Sequence, residues 1–293
     1  MADTVGQADI RGLDIDRTVK GFALMEYIFK QDCSQSGTVG DSIRWYQETA
    51  ADLTATAPMR VANTAFTAKF ATLDPSWTRN TSYVQQYSVE SFIPMMDIKT
   101  ADIDVLSRVL LRLTRAVTKQ VDARVWNVLT QDRNLATIGT ADTGINIVTS
   151  SGAWTADTSN PIRDVLKAKE MIWVSGGYNP ESAKLYLSPA DHTNLLNYLI
   201  WVKGSSVPAF SSEKLGSGVV MRFLGLDVKV SDNVTADYAL VAITERACTW
   251  KTLQGITSKV VEHPGKGSDV IVWEIGEPIL TDPKAVCIIS NTQ

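Results

Sequence analysis

Histidine, cysteine and clustered cations are all scarce in this sequence, and each scarcity closes a class of function. The histidines are His192 and His263 alone. Neither has a second His or a Cys at ligand spacing, which argues against a zinc site. Cys33, Cys248 and Cys287 are odd in number and far apart. They fit buried thiols in a reducing compartment better than a disulfide framework. Lys and Arg total 28 against 32 Asp and Glu, a net charge of -4. A protein that coats nucleic acid needs clustered excess cations and is not expected here. The opening MADTVGQADIRGLDID is acidic without an apolar core, so no secretory signal is expected. No apolar run approaches the roughly 20 residues that cross a bilayer, so no membrane partner is expected.

The common signatures of chemistry are missing as well. There is no Cys-x-x-Cys pair and no Gly-x-Ser-x-Gly elbow. GKGS at Gly265 fails as a phosphate loop, because Gly follows the Lys and a strand end precedes it. VSGGYNP is a helix stop rather than a dinucleotide fingerprint. No pair of carboxylates stands out as an acid and base. The chain is therefore not expected to be an enzyme, and no catalytic, metal-binding or cofactor-binding residue is assigned.

What is present is ordinary globular composition, 44% hydrophobic and 20% charged over 293 residues, enough for one large core or two smaller ones. Residues 1–40 read as a polar arm with one amphipathic patch, Val19, Phe22, Ala23, Tyr27 and Ile28. DSIRWYQET alternates, with Ile43, Trp45 and Gln47 on one face and Arg44, Tyr46 and Glu48 on the other. About thirty Ala- and Thr-rich residues without period follow. SYVQQYSVESFIPM returns to alternation, with Tyr83, Gln85, Tyr87 and Val89 on one side. The two arms and the stretch between them read as a projecting β-hairpin with an irregular tip holding Trp77 and Arg79. A tip of that length suggests partners outside its own domain.

Thr100 to Gln131 holds neither Gly nor Pro. Ile103, Leu106, Leu110, Leu113, Val117, Val121, Val125 and Val128 step by 3 or 4, which predicts one helix over 101–129 with Thr100 as N-cap and Asp102 and Asp104 in its first turn. At ~1.5 Å per residue it would be on the order of 40 Å long. Arg108, Arg112, Arg115 and Lys119 form a second, basic stripe on it. That stripe reads as a solvated face, as one paired with acids elsewhere in the chain, as a face for acids of a neighbouring chain, or as one turned to nucleic acid.

NPIRDVLKAKEMIWVSGG predicts a helix with Pro161 in its first turn, a face of Ile162, Val165, Leu166, Lys169 and Ile172, and a Gly176-Gly177 stop. SAKLYLSP predicts a buried strand, Pro189 opens another helix, and Lys203–Gly218 reads as a surface loop. Strands follow in GVVMRFLGLDVKVS, DYALVAITERACTW, SKVVEHP, DVIVWEIGEPIL and AVCIIS, with HPGKGSD as a hairpin turn. The order is α+β rather than regularly alternating. A sequence without recognisable chemistry, carrying an arm, a projecting hairpin and an oversized helix, points to an assembly subunit.

The order of elements resembles the major capsid proteins of tailed bacteriophages, with the Hong Kong 97-type fold. SIRWYQET, the long tip and VQQYSVESFIPMMDIKTADID are similar to that family's extended loop running into its spine helix, and VDARVWNVL is similar to the helix end. IRDVLKAKEMIWVSGGYNPESAKLYLSPADHTNLLNYL looks like the axial-domain segment, and FLGLDVKVSDNVTADYALV like the strands after it. The resemblance covers about residues 41–290.

It implies an α+β capsid fold in five parts: an N-terminal arm (1–40), an extended loop with flanking strands (41–97), the spine helix with peripheral elements (98–160), an axial domain (161–250) and peripheral strands (251–293). It implies self-assembly as pentamers and hexamers into an icosahedral virion shell around double-stranded DNA, built in the host cytoplasm, with weak DNA contacts at most. A separate scaffold, a portal and decoration proteins are further implied partners. Candidate inter-subunit residues are Arg44, Trp45, Phe66, Lys69, Trp77 and Arg79. One relative cross-links subunits through a loop lysine. Lys69 is the one Lys between Asp41 and Met96, though no matching Asn or Glu is identified. A cellular nanocompartment shell of the same fold, and an α+β enzyme with an unrecognised site, remain open alternatives.

Overall fold

The computed structural model describes residues 19, 27–48, 77–100, 105–130, 144–156, 159–202 and 222–293. In chain order these form β1 (Ser34–Gly37), β2 (Ser42–Glu48), β3 (Trp77–Tyr83), β4 (Gln85–Pro94), α1 (Met95–Thr100), α2 (Val105–Leu129), β5 (Asn146–Thr149), α3 (Pro161–Gly176), β6 (Lys184–Leu187) and α4 (Pro189–Asn197). There follow β7 (Arg222–Phe223), β8 (Leu226–Val230), β9 (Tyr238–Ala242), α5 (Thr244–Ala247), β10 (Cys248–His263), β11 (Gly267–Leu280) and β12 (Val286–Ser290). The chain divides into two compact units.

One unit comprises the described residues within Met1–Ile43, Ser82–Trp126 and Thr249–Ile279. Its sheet has the order β1-β10-β11-β4. β1 runs parallel to β10, Ser34 opposite Thr249, and β4 runs antiparallel to β11, Pro94 opposite Gly267 and Gln85 opposite Gly276. Gly276 has a steric reason. A Cβ there would lie 2.5 Å from the Trp250 ring and 2.8 Å from the Lys251 carbonyl oxygen on β10, distances no side chain sustains. The helical stripe does what its period requires: Leu110, Leu113, Val117, Val121 and Val125 are all buried. α2 has 25 residues, about 37 Å at the usual rise.

The second unit comprises the described residues within Arg44–Thr81, Asn127–Cys248 and Leu280–Gln293. Its six-stranded sheet has the order β5-β12-β9-β6-β8-β7. β12 runs parallel to β5 and antiparallel to β9, and β6 runs parallel to β8 and antiparallel to β9. The central strands read as continuous apolar runs, YALVA, KLYL and VCIIS, because both their faces are buried. Leu185, Leu187, Ala239, Val241, Cys287 and Ile289 share a core with Val165, Ala168 and Ile172 of α3 and Leu195 of α4.

Both helices are capped by their own sequence. Asn160 accepts from the Arg163 N–H, and Gly177 takes the left-handed φ of 68° that a non-glycine would resist. Ser188 accepts from the Asp191 N–H at the start of α4. β2 and β3 form a separate two-stranded sheet.

Several expectations are corrected. The partner of β2 is β3, not SYVQQYSVESFIPM, most of which is β4 in another sheet. Alternation slips where the chain passes between sheets: Tyr83 is exposed, Gln85 and Gln86 are both exposed, and Tyr87, Val89 and Ser91 then lie partly covered ahead of buried Ile93. Trp77 and Arg79 belong to β3 rather than to an irregular tip. Thr100 is not an N-cap. It ends α1, and its hydroxyl donates to the Met96 carbonyl within that helix. Ile103, Asp102 and Asp104 lie outside the described residues. Leu166 is exposed rather than part of the buried face of α3. DYALVAITERACTW is not one strand: Thr244–Ala247 makes a helical turn, and β10 then continues unbroken through SKVVEH. Val286–Ser290, grouped by sequence with the preceding strands, pairs in the six-stranded sheet. Lys203–Gly218 lies outside the described residues. Tyr27–Gly37 does not behave as a separate arm, since it is built into the first unit.

Candidate assembly surfaces and a buried anchor

The N-terminal segment is held by a buried ionic cluster in the first unit. Asp122 on α2 accepts the backbone N–H of Ile28 at 2.6 Å and of Lys30 at 3.0 Å. Glu274 on β11, fully buried, accepts from the Lys30 ammonium and from the Tyr27 hydroxyl. The ammonium also lies 4.1 Å from the Tyr27 ring centroid and 5.0 Å from that of Trp250, a cation–π arrangement favoured where water is excluded. Phe29 stacks against Trp126, centroids 5.7 Å apart.

Two residues along α2, Arg124 donates twice to Glu277 at 2.8 and 3.2 Å, and Ser82 and Tyr87 donate to the same carboxylate. A buried pair of this kind is weak evidence for net stability, but removing one partner strands a charge at a cost of about 3–5 kcal/mol. The cluster therefore fixes where the chain before Ser34 must sit.

Burial leaves its mark on the protonation of these groups. Asp122 is pushed up to about 6 by desolvation, against the pull of three backbone N–H groups and Lys30. Glu277 is raised by burial even with Arg124 beside it. The Tyr27 hydroxyl is raised by burial and then by Glu274 and stays a donor. Cys33, Cys248 and Cys287 are free and buried, and burial pushes the Cys287 thiol up to about 12. These are groups held in place rather than poised for reaction.

The sequence-selected contact residues are dispersed. Arg44 and Arg79 are exposed on β2 and β3. Trp45 is half-buried, and its indole N–H donates to the Leu280 carbonyl at 2.9 Å, so it is anchored in its own unit. Trp77 opens β3. Phe66 and Lys69 lie outside the described residues. Arg108, Arg112, Arg115 and Lys119 are all exposed along α2, opposite the buried apolar stripe, so the structure does bring the four onto one face.

Sequence reasoning missed the buried cluster. The signal was there: two glutamates three residues apart inside an otherwise apolar strand, DVIVWEIGEPIL, demand buried cations. What the sequence withheld was which cations, since Lys30 and Glu274 are 244 residues apart.

Exposed apolar groups mark further candidate surfaces. Phe92, Met96 and Ile98 are exposed around α1, none of whose residues is buried. Leu166, Met171, Trp173 and Val174 are exposed on α3. No helix among the described residues is long and apolar enough to cross a membrane.

One unit with a 25-residue helix and a four-stranded sheet, and a second with a six-stranded mixed sheet and a two-stranded ribbon, together make up a capsid subunit of the Hong Kong 97-type fold. The sequence pattern of the phage capsid protein family matches residues 92–289, and this chain belongs to that family. The structure resembles that of the virus-like particle from Pyrococcus furiosus, with 10% identity, TM-score 0.63, and 96% of this chain and 99% of that chain covered. It also resembles the capsid of cyanophage P-SCSP1u (12% identity, TM-score 0.66, 90% and 88% covered) and that of Mycobacterium phage Bobi (14%, 0.61, 92% and 89%). No curated protein matches the chain by sequence.

Proposed function

We propose that many copies of this chain close into an icosahedral head of pentamers and hexamers enclosing double-stranded DNA. The observation that carries this reading is the family match over residues 92–289, joined to likeness along nine-tenths of the chain with the cyanophage capsid. A structural rather than enzymatic role accompanies it. The unit built on the six-stranded sheet is assigned as the axial domain around capsomer centres. The unit holding α2 and the four-stranded sheet is assigned as the peripheral domain. The chain between β2 and β3 serves as the extended loop toward a neighbour. A scaffold, portal or decoration protein completes the head in the host cytoplasm. Each subunit then buries modest surfaces against several neighbours, and symmetry multiplies weak contacts into a stable shell.

A second reading is favoured by one observation, the near-complete mutual coverage with the Pyrococcus furiosus virus-like particle: a shell of the same architecture with another cargo. Negative-stain microscopy of the purified full chain tests both. Closed shells of uniform diameter are expected, and a persistent monomer under all assembly conditions contradicts the shell. Nuclease-protected DNA in particles from infected or induced cells separates a head from a container of protein cargo.

A further inference from the structure

The unit built on the six-stranded sheet carries two exposed surfaces at opposite flanks. α3 packs over β5 and β12, at one end of the strand order, and β8 and β7 lie at the other. On the outer face of α3, Leu166 is 47%, Trp173 61% and Val174 76% exposed, with Arg163, Lys167 and Glu170 exposed among them. Asn160, Ile162, Arg163, Leu166, Lys167 and Glu170 line a shallow open groove there. At the far flank β7 pairs only with Leu226 and Asp227 of β8. Among the described residues, Val228 to Val230 form an unpaired sheet edge, with Val230 36% exposed and Asp227 and Asp232 exposed beside it.

Strand register sets the two flanks on a common scale. Thr149, Ser290 and Tyr238 share a row across β5, β12 and β9. The pairings of β9 with β6 and of β6 with β8, continued by one or two residues, carry that row through Ser188 to Ser231. The Asp164 carboxylate accepts from Ser150 and Ser151, just past the end of β5, so Arg163 and Asp164 lie level with Asp232. From that level α3 runs back toward the start of β5, where Ser175 donates to Asn146. Along it, Lys167 lies about 6 Å from Arg163, Glu170 about 10 Å and Trp173 about 15 Å. Along β8 in the same direction, Val230 lies about 7 Å from Asp232, Lys229 about 10 Å and Asp227 about 16 Å. Asp227 is paired across the strands with Arg222 at 3.6 Å, and both are exposed.

We propose that these two surfaces meet head to tail around the capsomer axis, the α3 face of one copy against the β8 edge of the next. The inference rests on the shell reading and names the contact that closes its rings. Rotation preserves the height of every residue along the axis. With the axis along the strands, each α3 residue therefore meets the β8 residue of its own level. Arg163 then falls on Asp232 and Glu170 on Lys229, two opposite-charge pairs. The Lys167 stem lies over Val230, and the Trp173 ring faces the Arg222 guanidinium. An edge presents the side chains of both its faces, so Val230 enters the groove while Lys229 turns to Glu170.

Direction supports the same arrangement. The outer face of α3 looks away from the sheet, and the β8 edge looks along it, roughly a right angle apart. A ring of five requires about 108° between the two contacting faces of one subunit, because head-to-tail contacts close only at a fixed rotation. An unpaired sheet edge also needs a cover against unwanted strand pairing, and a neighbour's helix supplies one. A tryptophan and an arginine set among charged pairs are the usual make-up of an interface centre.

Two experiments on the full chain test it. In the first, R163C/D232C is oxidised after particles form. Within one chain β5 and β8 stand four strand spacings apart, on the order of 19 Å, so a bridge between these flanks forms only between copies. The expected result is a ladder on denaturing gels that stops at five and six chains, because each copy links to two neighbours and the ring closes. Either single variant alone gives no ladder, and a mixture of the two gives dimers only. The native cysteines are buried and do not compete. A double variant that stays monomeric on the gel, or single variants that cross-link as well as the double, overturns the contact.

In the second experiment, E170K and K229E each set like charges opposite one another. Each is expected to raise the concentration at which half the chains sediment as particles roughly tenfold or more, while the swap E170K/K229E returns it toward wild type. A fold damaged by either substitution would not be repaired by adding the other. Single variants that assemble normally, or a swap that fails to restore assembly, refute the pairing. Shells that close without the ladder remove this contact and leave the head standing. A chain that forms no particles under any condition sinks the shell reading, and the contact with it.

Discussion

Asp122 is the side chain on which Ile28 to Lys30 hang, and its ionisation makes stability depend on pH in a defined direction. Its carboxyl sits near 6 in the folded chain against 3.8 ordinarily, chiefly through burial. Between those values the folded protein holds a proton that the unfolded chain has released. Stability from this group is therefore greatest below pH 3.8, falls as pH rises toward 6, and is level above it. The span is worth about 3 kcal/mol at 1.36 kcal/mol per unit. Asp122→Asn removes the titration, because the amide stays neutral, and adds a constant loss from one acceptor where two oxygens served. Melting curves of the two proteins from pH 4 to 7 are expected to differ in slope: wild type loses about 2 kcal/mol of that span across the window relative to the variant. Parallel profiles would mean that Asp122 does not change charge there. Nothing in the local sequence announces this residue. VDARV reads as a polar interruption on a helix, and only the fold brings the N–H groups of residues some ninety positions earlier onto it.

At the scale of the element, what sequence made legible was whatever repeats locally. The apolar stripe of α2, the caps of α3 and α4, and the turn between β10 and β11 follow from spacing and cap chemistry. Strand partners did not, because alternation fixes which face is buried but not which strand lies alongside. Hence spacing alone makes β3 part of a loop tip and puts β4 in the wrong ladder. The basic stripe of α2 is the one candidate site that spacing marked in full and the structure sets on one exposed face. Like charges at i and i+4 cost an isolated helix a few tenths of a kcal/mol. Replacing Arg108, Arg112, Arg115 and Lys119 together by Gln is expected to leave the subunit folded and shell formation intact and to lower nucleic-acid retention. The salt dependence should flatten by up to about 0.9 per lost phosphate contact. Loss of particles from a subunit that still folds would assign the stripe to a neighbouring subunit instead.

At the scale of the whole molecule, the connection between β2 and β3 is the feature that a lone subunit explains least. β2 ends at Glu48 and β3 begins at Trp77, leaving 28 residues between them, where a hairpin needs about 2–5. Chain length by itself is cheap: doubling a loop costs about 0.6 kcal/mol. A long loop is tolerated by its own fold but not required by it. The two-stranded sheet is tied to its own unit by Trp45, whose indole N–H donates to the Leu280 carbonyl. Residues 52–74, which include Phe66 and Lys69, can therefore be replaced by a short Gly-Ser turn without touching either strand. The shortened chain is expected to express as a folded subunit, with melting within a few degrees of wild type, and to fail to close into shells under conditions where the full chain does. A shortened chain that unfolds would place the loop in its own subunit's core, and one that closes normally would deny it any part in assembly. Only a folded subunit that cannot close fits a loop whose binding partner is the next copy. That outcome also accounts for why its sequence, Ala- and Thr-rich and without period, carries no secondary-structure signal of its own: its conformation would be set by the neighbour it lies against.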